Sequence, residues 1–409
     1  MDVTYLAAKR LARTAFALRV IAVVWIHFFV EPGLFAPDEL TYDQRGLRLA
    51  NYWNGELAMD PSEGFQGESK GYYYIVAALY FPFGHLPLLP KLLNAWVGSR
   101  AVLELFLLTR LIGGNDTSAL RAGKFLAFFP SQILWSSLMI RDVWVQWLLV
   151  RLAREMAELK GRMIATRMVT AVLLIWGLTQ FRSYLLYAAV GPFVLSFILG
   201  RSKDMMRNLV VGSFFALGLV YFGSQSRGGE EKVQTLDLVE LQRLRSWSSS
   251  SQAAESGFAN DADISTVGGA LNLLPIGLTY FFFAPFPWQF GSIRQSLAIP
   301  ETMIFYTLIP GIITGGLFLF RKRLVDSMGV LLVTMTVTFG YAIGQGNVGT
   351  LYRHKAQVIG FYYAFAAIGR ENRKSRVTNR NAASPLDPRY PLRSEAITVA
   401  TSTHRGSWS

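Results

Sequence analysis

The stretch "SSLMIRDVWVQWLL", Ser136 to Leu149, decides how this chain is threaded. It lies inside an apolar run from Phe125 to Val150 that is long enough to form one helix with Arg141 and Asp142 in its middle. Two charges at bilayer depth would cost about 5 to 7 kcal/mol on insertion scales. Both flanks are basic, Arg121 with Lys124 before the run and Arg151 with Arg154 after it, and a single span does not leave both ends on the cytoplasmic side. A hairpin removes both difficulties: two spans, 123–141 and 143–159, with Arg141 and Asp142 at the outer tip.

The rest of the chain has the composition that such threading requires. Of 409 residues, 52% are hydrophobic and 16% charged, and the mean hydropathy is +0.30. These values point to an all-α polytopic membrane protein. Apolar runs long enough to cross a hydrocarbon core of about 30 Å fall at 15–33, 92–112, 123–141, 143–159, 168–182, 184–200, 208–224, 302–320, 328–345 and 356–369. Lys9, Arg10, Arg13 and Arg19 form a basic N-terminal region ahead of the first run, and no small-residue cleavage site follows closely, so that run is expected to remain as a span. With both termini cytoplasmic, the cytoplasmic segments hold the greater share of the 40 Lys and Arg residues. The net charge of +13 is therefore an orientation signal, and nucleic acid is not an expected partner. Absence of cysteine excludes disulfides, thiolate nucleophiles and sulfur-ligated metals, and no two of His27, His85, His354 and His404 are spaced to share a metal.

Two apolar stretches are interrupted by Pro and Gly: "GYYYIVAALYFPFGHLPLLP" (71–90) and "LNLLPIGLTYFFFAPFPW" (271–288). Making either a full span would invert everything after it and place "FRKR" or "RLAREMAELKGR" outside, so both are expected to be interfacial or re-entrant. The first outer loop, 34–91, contains "TYDQRGLRLANYWNG", in which Tyr42, Leu49 and Trp53 line one side of a helix and Asp43, Gln44 and Arg48 another, the pattern of a helix in the headgroup plane. The large outer loop, 225–270, carries helical spacing at Leu236, Leu238, Val239, Leu241 and Leu244. Residues 370–409 are polar and basic, and are expected to be a disordered cytoplasmic tail. "GG" at 113–114 followed by Asn115-Asp116-Thr117 is a turn and a helix cap.

In this topology the outer ends of the spans collect Asp38 and Glu39, Arg141 and Asp142, Arg182, and the run Arg353-His354-Lys355. Acids and bases together at the membrane surface suit transfer of a sugar from a lipid-linked phosphate. A carboxylate takes the proton of an acceptor hydroxyl, while guanidinium and ammonium groups hold the phosphate and meet the charge it acquires on leaving. Simpler roles stand beside these. Asp38 and Glu39 suit the first turn of a helix, Arg141 and Asp142 suit a solvated tip with a weak ion pair, and Arg182 suits an interfacial anchor. Arg353, His354 and Lys355 depart from the inside-positive trend.

"PDELTY" at 37–42 resembles the Pro-Asp-Glu-x-x-Tyr signature of the C-type membrane glycosyltransferases (GT-C), the superfamily that includes protein O-mannosyltransferases and aminoarabinose transferases. The likeness continues through "WNG", the juxtamembrane "GYYYIVAALYFPFG", "LTRLIGG" and "FFPSQILWSS", and covers roughly residues 1–200 as the family's conserved module. That leaves 201–369 as a variable membrane module. "LPIGLTYFFFAPFPW" and "GNVGTLYRHK" resemble stretches of bacterial polysaccharide-assembly membrane proteins. The resemblance implies a GT-C-like bundle of about ten transmembrane helices in the bacterial cytoplasmic membrane, with its active site on the outer, periplasmic side. It implies a polyprenyl-linked sugar donor and a glycan or lipid-linked acceptor in exopolysaccharide or cell-envelope glycan assembly. By the family's pattern Asp38 would activate the acceptor or join a divalent metal (Mg or Mn) with Asp142, Glu39 would sit beside it and Asp142 would be the second-loop catalytic acid; the outer-face charges themselves suggest Arg141, Arg182, Arg353, His354 and Lys355 as the groups that hold phosphate. The chain departs from the family in lacking a separate soluble C-terminal domain and in placing Arg141 before its second acid, which suits a diphosphate leaving group. A repeat-unit polymerase or ligase working through an Arg pair, a lipid-linked-sugar flippase and a non-catalytic scaffold are the competing expectations.

Overall fold

The computed structural model describes residues 3–58, 70–160, 162, 164–200, 206, 208–210, 212–213, 238–250, 256–288 and 293–383. Among them the chain is helical with no strand, apart from one isolated bridge between Gly257 and Asn347. Four helices are long and apolar enough to cross a membrane: Val3–Phe29, Leu88–Leu111, Ala298–Lys322 and Leu324–Gly344. They make this a membrane protein and coincide with four of the expected spans. Ala165–Phe181 and Leu185–Ile198 are shorter apolar helices where the spans 168–182 and 184–200 were expected. Most of the expected span 208–224, and residues 225–237 and 251–255 of the expected loop 225–270, lie outside the described residues.

Helix α1 (Val3–Phe29) buries Ala8, Ala15, Arg19, Val23 and Ile26, spaced on one helical face. Its other side leaves Ile21, Trp25, Phe28 and Phe29 more than half exposed, as a lipid-facing surface requires. Helix α2 (Asp38–Trp53) buries Glu39, Tyr42, Gly46, Leu49 and Ala50 and packs on α3 (Lys70–Phe83). Gly46 permits this approach, because a Cβ there would overlap the side chain of Val76. Trp53, expected on the apolar side of α2, is partly exposed and stacks on Tyr74 at 6.0 Å. Helix α4 (Leu88–Leu111) is buried over most of its surface, with Trp96 left half exposed, and packs against α1.

The segment expected to form a hairpin of two spans is broken into shorter helices. Helix α5 (Asp116–Phe128) starts at an Asn115 cap whose side chain accepts from Ser118 N at 2.8 Å, as the sequence predicts. It stops at Phe129 because Pro130 has no N–H and disfavours the helical conformation before it. A short helix α6 (Pro130–Trp135) and a turn through 136–141 then lead into α7 (Asp142–Leu159), with Arg141 at its N-cap. The break frees carbonyls at the end of α5, and Arg19 of α1 satisfies them. Its Nη2 donates to Leu126 O at 2.9 Å, Nη1 to Ala127 O at 3.2 Å and Nε to Ser136 Oγ at 2.8 Å. Arg19 is therefore not part of a cytoplasmic basic region; it is fully buried inside the bundle.

The chain continues through α8 (Ala165–Phe181), α9 (Leu185–Ile198), α10 (Leu238–Ser250), α11 (Val267–Phe283), α12 (Ile293–Lys322), α13 (Leu324–Gly344) and α14 (Val348–Ala383). Three expectations change here. The stretch 271–288 is not broken at Pro275 but is helical through Phe283, packed on α13 where Gly277 meets Ala342 O. The stretch 71–90 contains two helices that part at Gly84, whose φ is +74°. The expected disordered tail is helical as far as Ala383, and 384–409 lie outside the described residues.

Contacts between helix ends define two poles. At one, Thr4 Oγ1 donates to Asp116 Oδ2 at 2.9 Å, Arg110 pairs with Asp116 at 3.0 Å, Arg121 with Glu371 at 3.2 Å, and Lys160 with Asp326 at 2.7 Å. At the other are Asp38, Asp142, Arg182 and Arg353.

Candidate functional site

Three segments far apart in the chain meet through one guanidinium. Arg353, on the second turn of α14, directs Nε and Nη2 at Asp142 Oδ2, at 2.8 and 2.6 Å, and Nη1 at Asp38 Oδ2, at 2.8 Å. Asp38 opens α2 and Asp142 opens α7, so each carboxylate also sits in the first turn of a helix, where negative charge is favoured.

The two acids have opposite surroundings. The Asp142 side chain is 2% exposed, and its Oδ1 accepts from Arg182 Nη2 at 3.3 Å and from Gln357 Nε2. Burial alone would raise this carboxyl, but Arg353 and Arg182 reverse that and hold it below the usual carboxylate range. Asp142 is an ionised anchor between two cations at the start of α7, not a solvated tip. The Asp38 side chain is 52% exposed, with Arg353 on its covered side.

A ring of further groups fixes this arrangement. Arg182 also donates to Tyr184 Oη at 2.7 Å, and Tyr341 Oη donates to Gln357 Oε1 at 2.5 Å. Arg141, 8% exposed, donates from Nη1 to Phe181 O at 2.6 Å, at the end of α8. Tyr42 is buried within electrostatic reach of Arg141, Arg353, Asp142 and Asp38. Asp38, Asp142, Arg182 and Arg353 are thus in direct contact, with Arg141 and Tyr42 beside them.

Three expected site residues have other surroundings. Glu39 is 3% exposed, pairs with Lys91 Nζ at 2.8 Å and accepts from Met139 N at 3.2 Å. It is one residue on from Asp38, about 100° around the helix, and that rotation turns it into the core as a structural ion pair. His354 is buried with its ring 4.7 Å from that of Tyr341. Burial and the neighbouring Arg182 push it well below the ordinary histidine value, so it is neutral and supplies no charge to a phosphate. Lys355 projects from another side of α14 than Arg353, over the rings of Phe305 (4.7 Å) and Tyr352 (5.5 Å). Its neighbourhood includes Glu301, which accepts from Ser131 N at 2.6 Å, so it does not clamp the same phosphate as Arg353.

Sequence reasoning passed over several members of this pole. Lys91 and Gln357 carry no motif of their own; each is identified only by the acid it meets from another helix, Glu39 and Asp142. Asp43 was read only as the polar side of α2; it accepts from Tyr80 Oη at 2.6 Å and lies 2.9 Å from His85 Nε2.

Asp38 and Asp142 do not form a divalent-metal site as they stand. Arg353 already sits between them, Arg182 supplies the second positive charge on Asp142, and no group of three or more His, Asp or Glu among the described residues offers to hold a metal. What the arrangement offers instead is an exposed carboxylate, a guanidinium anchored from behind, and two more arginines nearby. No protein-family model and no curated protein sequence matches this chain.

Proposed function

We propose that this chain is a polytopic membrane glycosyltransferase. It takes a sugar from a polyprenyl-phosphate or polyprenyl-diphosphate donor at the outer face of the bacterial cytoplasmic membrane and passes it to a glycan or lipid-linked acceptor. In this reading the chain spans about ten times, and the pole holding Arg110, Arg121 and Lys160 is cytoplasmic. The observation that carries the proposal is the contact of Asp38, Arg353 and Asp142 at the opposite pole.

The geometry suggests how binding and chemistry are coupled. Arg353 is held to the buried Asp142 by two donors and to the exposed Asp38 by one. An incoming phosphate displaces the weaker, solvated partner, so Arg353 turns its Nη1 to the donor and Asp38 is released as a base. Asp38 then accepts the acceptor hydroxyl's proton as that oxygen bonds to the anomeric carbon. The bond from the anomeric carbon to the phosphate oxygen breaks, the electron pair leaves with the phosphate, and Arg353 with Arg141 meets the charge. Asp142 and Arg182 touch neither reactant in this scheme and act as positioning residues.

The convergence of Arg182 and Arg353 on Asp142 favours one second reading, a repeat-unit polymerase or ligase that works through an Arg pair. Transfer from a radiolabelled polyprenyl-linked donor by purified Asp38→Asn and Arg353→Ala separates them. The glycosyltransferase reading expects both variants to lose transfer. A polymerase tolerates the first and fails with the second, and full activity in both variants rejects the site altogether.

A further inference from the structure

A separate feature lies at the pole far from Asp38. Helices α12 and α14 cross where Gly311, Gly315 and Gly369 remove side chains, since a Cβ at Gly315 would overlap Phe365 O and one at Gly369 would overlap Gly311 O. Beyond the crossing a cleft of about 210 Å³ is lined by Leu317, Phe318, Arg321 and Lys322 of α12 and by Asn372 and Arg373 of α14. None of the residues lining the cleft is acidic, and Glu371 next to it is engaged by Arg121 at 3.2 Å. Arg321, Lys322 and Arg373 are exposed at its rim. Asn372 Nδ2 is buried with no hydrogen-bond partner among the described residues.

The apolar part of the cleft is continuous with an exposed hydrocarbon surface. Ile313, Leu317 and Phe320 are 56%, 46% and 60% exposed, and most of the apolar surface of this helix is uncovered. A soluble anion would use the cations and leave that surface bare. A lipid uses both. We propose that the cleft binds a membrane phospholipid with an anionic headgroup: the phosphate is held by Arg321, Lys322 and Arg373 with a hydrogen bond from Asn372 Nδ2, and an acyl chain lies along Leu317 and Phe318. The charge matches the attraction of clustered Lys and Arg near a membrane surface for anionic lipids, and the proposal does not depend on what happens at Asp38.

The test uses the purified full chain in detergent, with phosphatidylglycerol and phosphatidylcholine as probes, read by native mass spectrometry and by the thermal unfolding midpoint. The wild type is expected to prefer phosphatidylglycerol by about tenfold or more and to be stabilised by it. The triple variant Arg321→Gln, Lys322→Gln, Arg373→Gln loses that preference. A control removing the same charge from α1, Lys9→Gln, Arg10→Gln, Arg13→Gln, keeps it. If the triple variant fails to fold, Leu317→Trp, which fills the acyl crevice and leaves the cations in place, is expected to lose the bound lipid. Equal uptake of the two lipids by the wild type, a control as impaired as the triple variant, or undiminished binding in both the triple variant and Leu317→Trp would overturn the assignment.

Discussion

Replacing Asp142 with Asn separates the two arms of Arg353 by their energetics. The substitution keeps the shape of the side chain but leaves the guanidiniums of Arg353 and Arg182, 13% and 5% exposed, without their shared counter-charge. Breaking a buried pair in this way costs about 3 to 5 kcal/mol, because the surviving charge stays desolvated. Asp38→Asn removes a carboxylate whose side chain is 52% exposed, so it should cost no more than about 1 kcal/mol. The assay is equilibrium unfolding of the purified protein in mixed micelles, with Asp142→Asn, Arg353→Gln and the double variant forming a cycle. The two buried-site substitutions should be non-additive by about 0.5 to 3 kcal/mol, as groups in direct contact are. A pH series adds a check of sign. The folded carboxyl of Asp142 lies below its unfolded value, so its stabilisation is complete at neutral pH and is lost only as the pH falls through and below the ordinary carboxylate range. Equal, small losses for Asp142→Asn and Asp38→Asn would refute the buried-anchor reasoning.

Other substitutions test the supports of the fold. Lys91→Met should destabilise by about 3 to 5 kcal/mol by stranding Glu39, and adding Glu39→Gln should restore part of the loss; unfolding of the single and double variants checks this. Arg19→Leu should leave Leu126 O and Ala127 O unsatisfied in the bundle, at about 1 to 3 kcal/mol each, and a thermal midpoint equal to the wild type would contradict the capping role of Arg19. Gly315→Ala should force α12 and α14 apart and cost about 1 to 3 kcal/mol, again read as unfolding stability. Addition of a chelator should leave phosphate-donor binding unchanged, measured by calorimetry, because Arg353 and Arg182 already occupy both candidate metal-binding acids.

What was legible in the sequence follows from which signals are local. Pro130 ends α5, Asn115 caps it, and the Arg141-Asp142 pair sits where the next helix begins; each is a backbone or solvation effect readable within a few residues. The alternation along α2 separated Tyr42 and Leu49 from Asp43 and Arg48 for the same reason. Charge roles were less legible, because burial of a charge is decided by a partner on another helix. Arg19 reads like its basic neighbours until the broken end of α5 is packed against it. Glu39 reads like Asp38 until Lys91 is found behind it. Arg353 and Lys355 look equivalent in a string, but a helix turns them to different sides, one to Asp142 and the other to Phe305. Asp38, Asp142 and Arg353 were legible as a set only because lipid drives most charged residues near a span to one surface or the other, Arg19 being an exception that protein partners satisfy inside the bundle.

The account rests on those three residues sharing one pole. Because the chain has no cysteine of its own, the paired variant Asp38→Cys with Arg353→Cys can be treated, in intact membranes, with a short membrane-impermeant bismaleimide added from the outer side. The account predicts efficient intramolecular cross-linking of that pair and none between Asp38→Cys and a thiol at Arg373, at the far pole. Absence of cross-linking in the first pair, or labelling of Asp38→Cys and Arg353→Cys from opposite sides of the membrane, would contradict it.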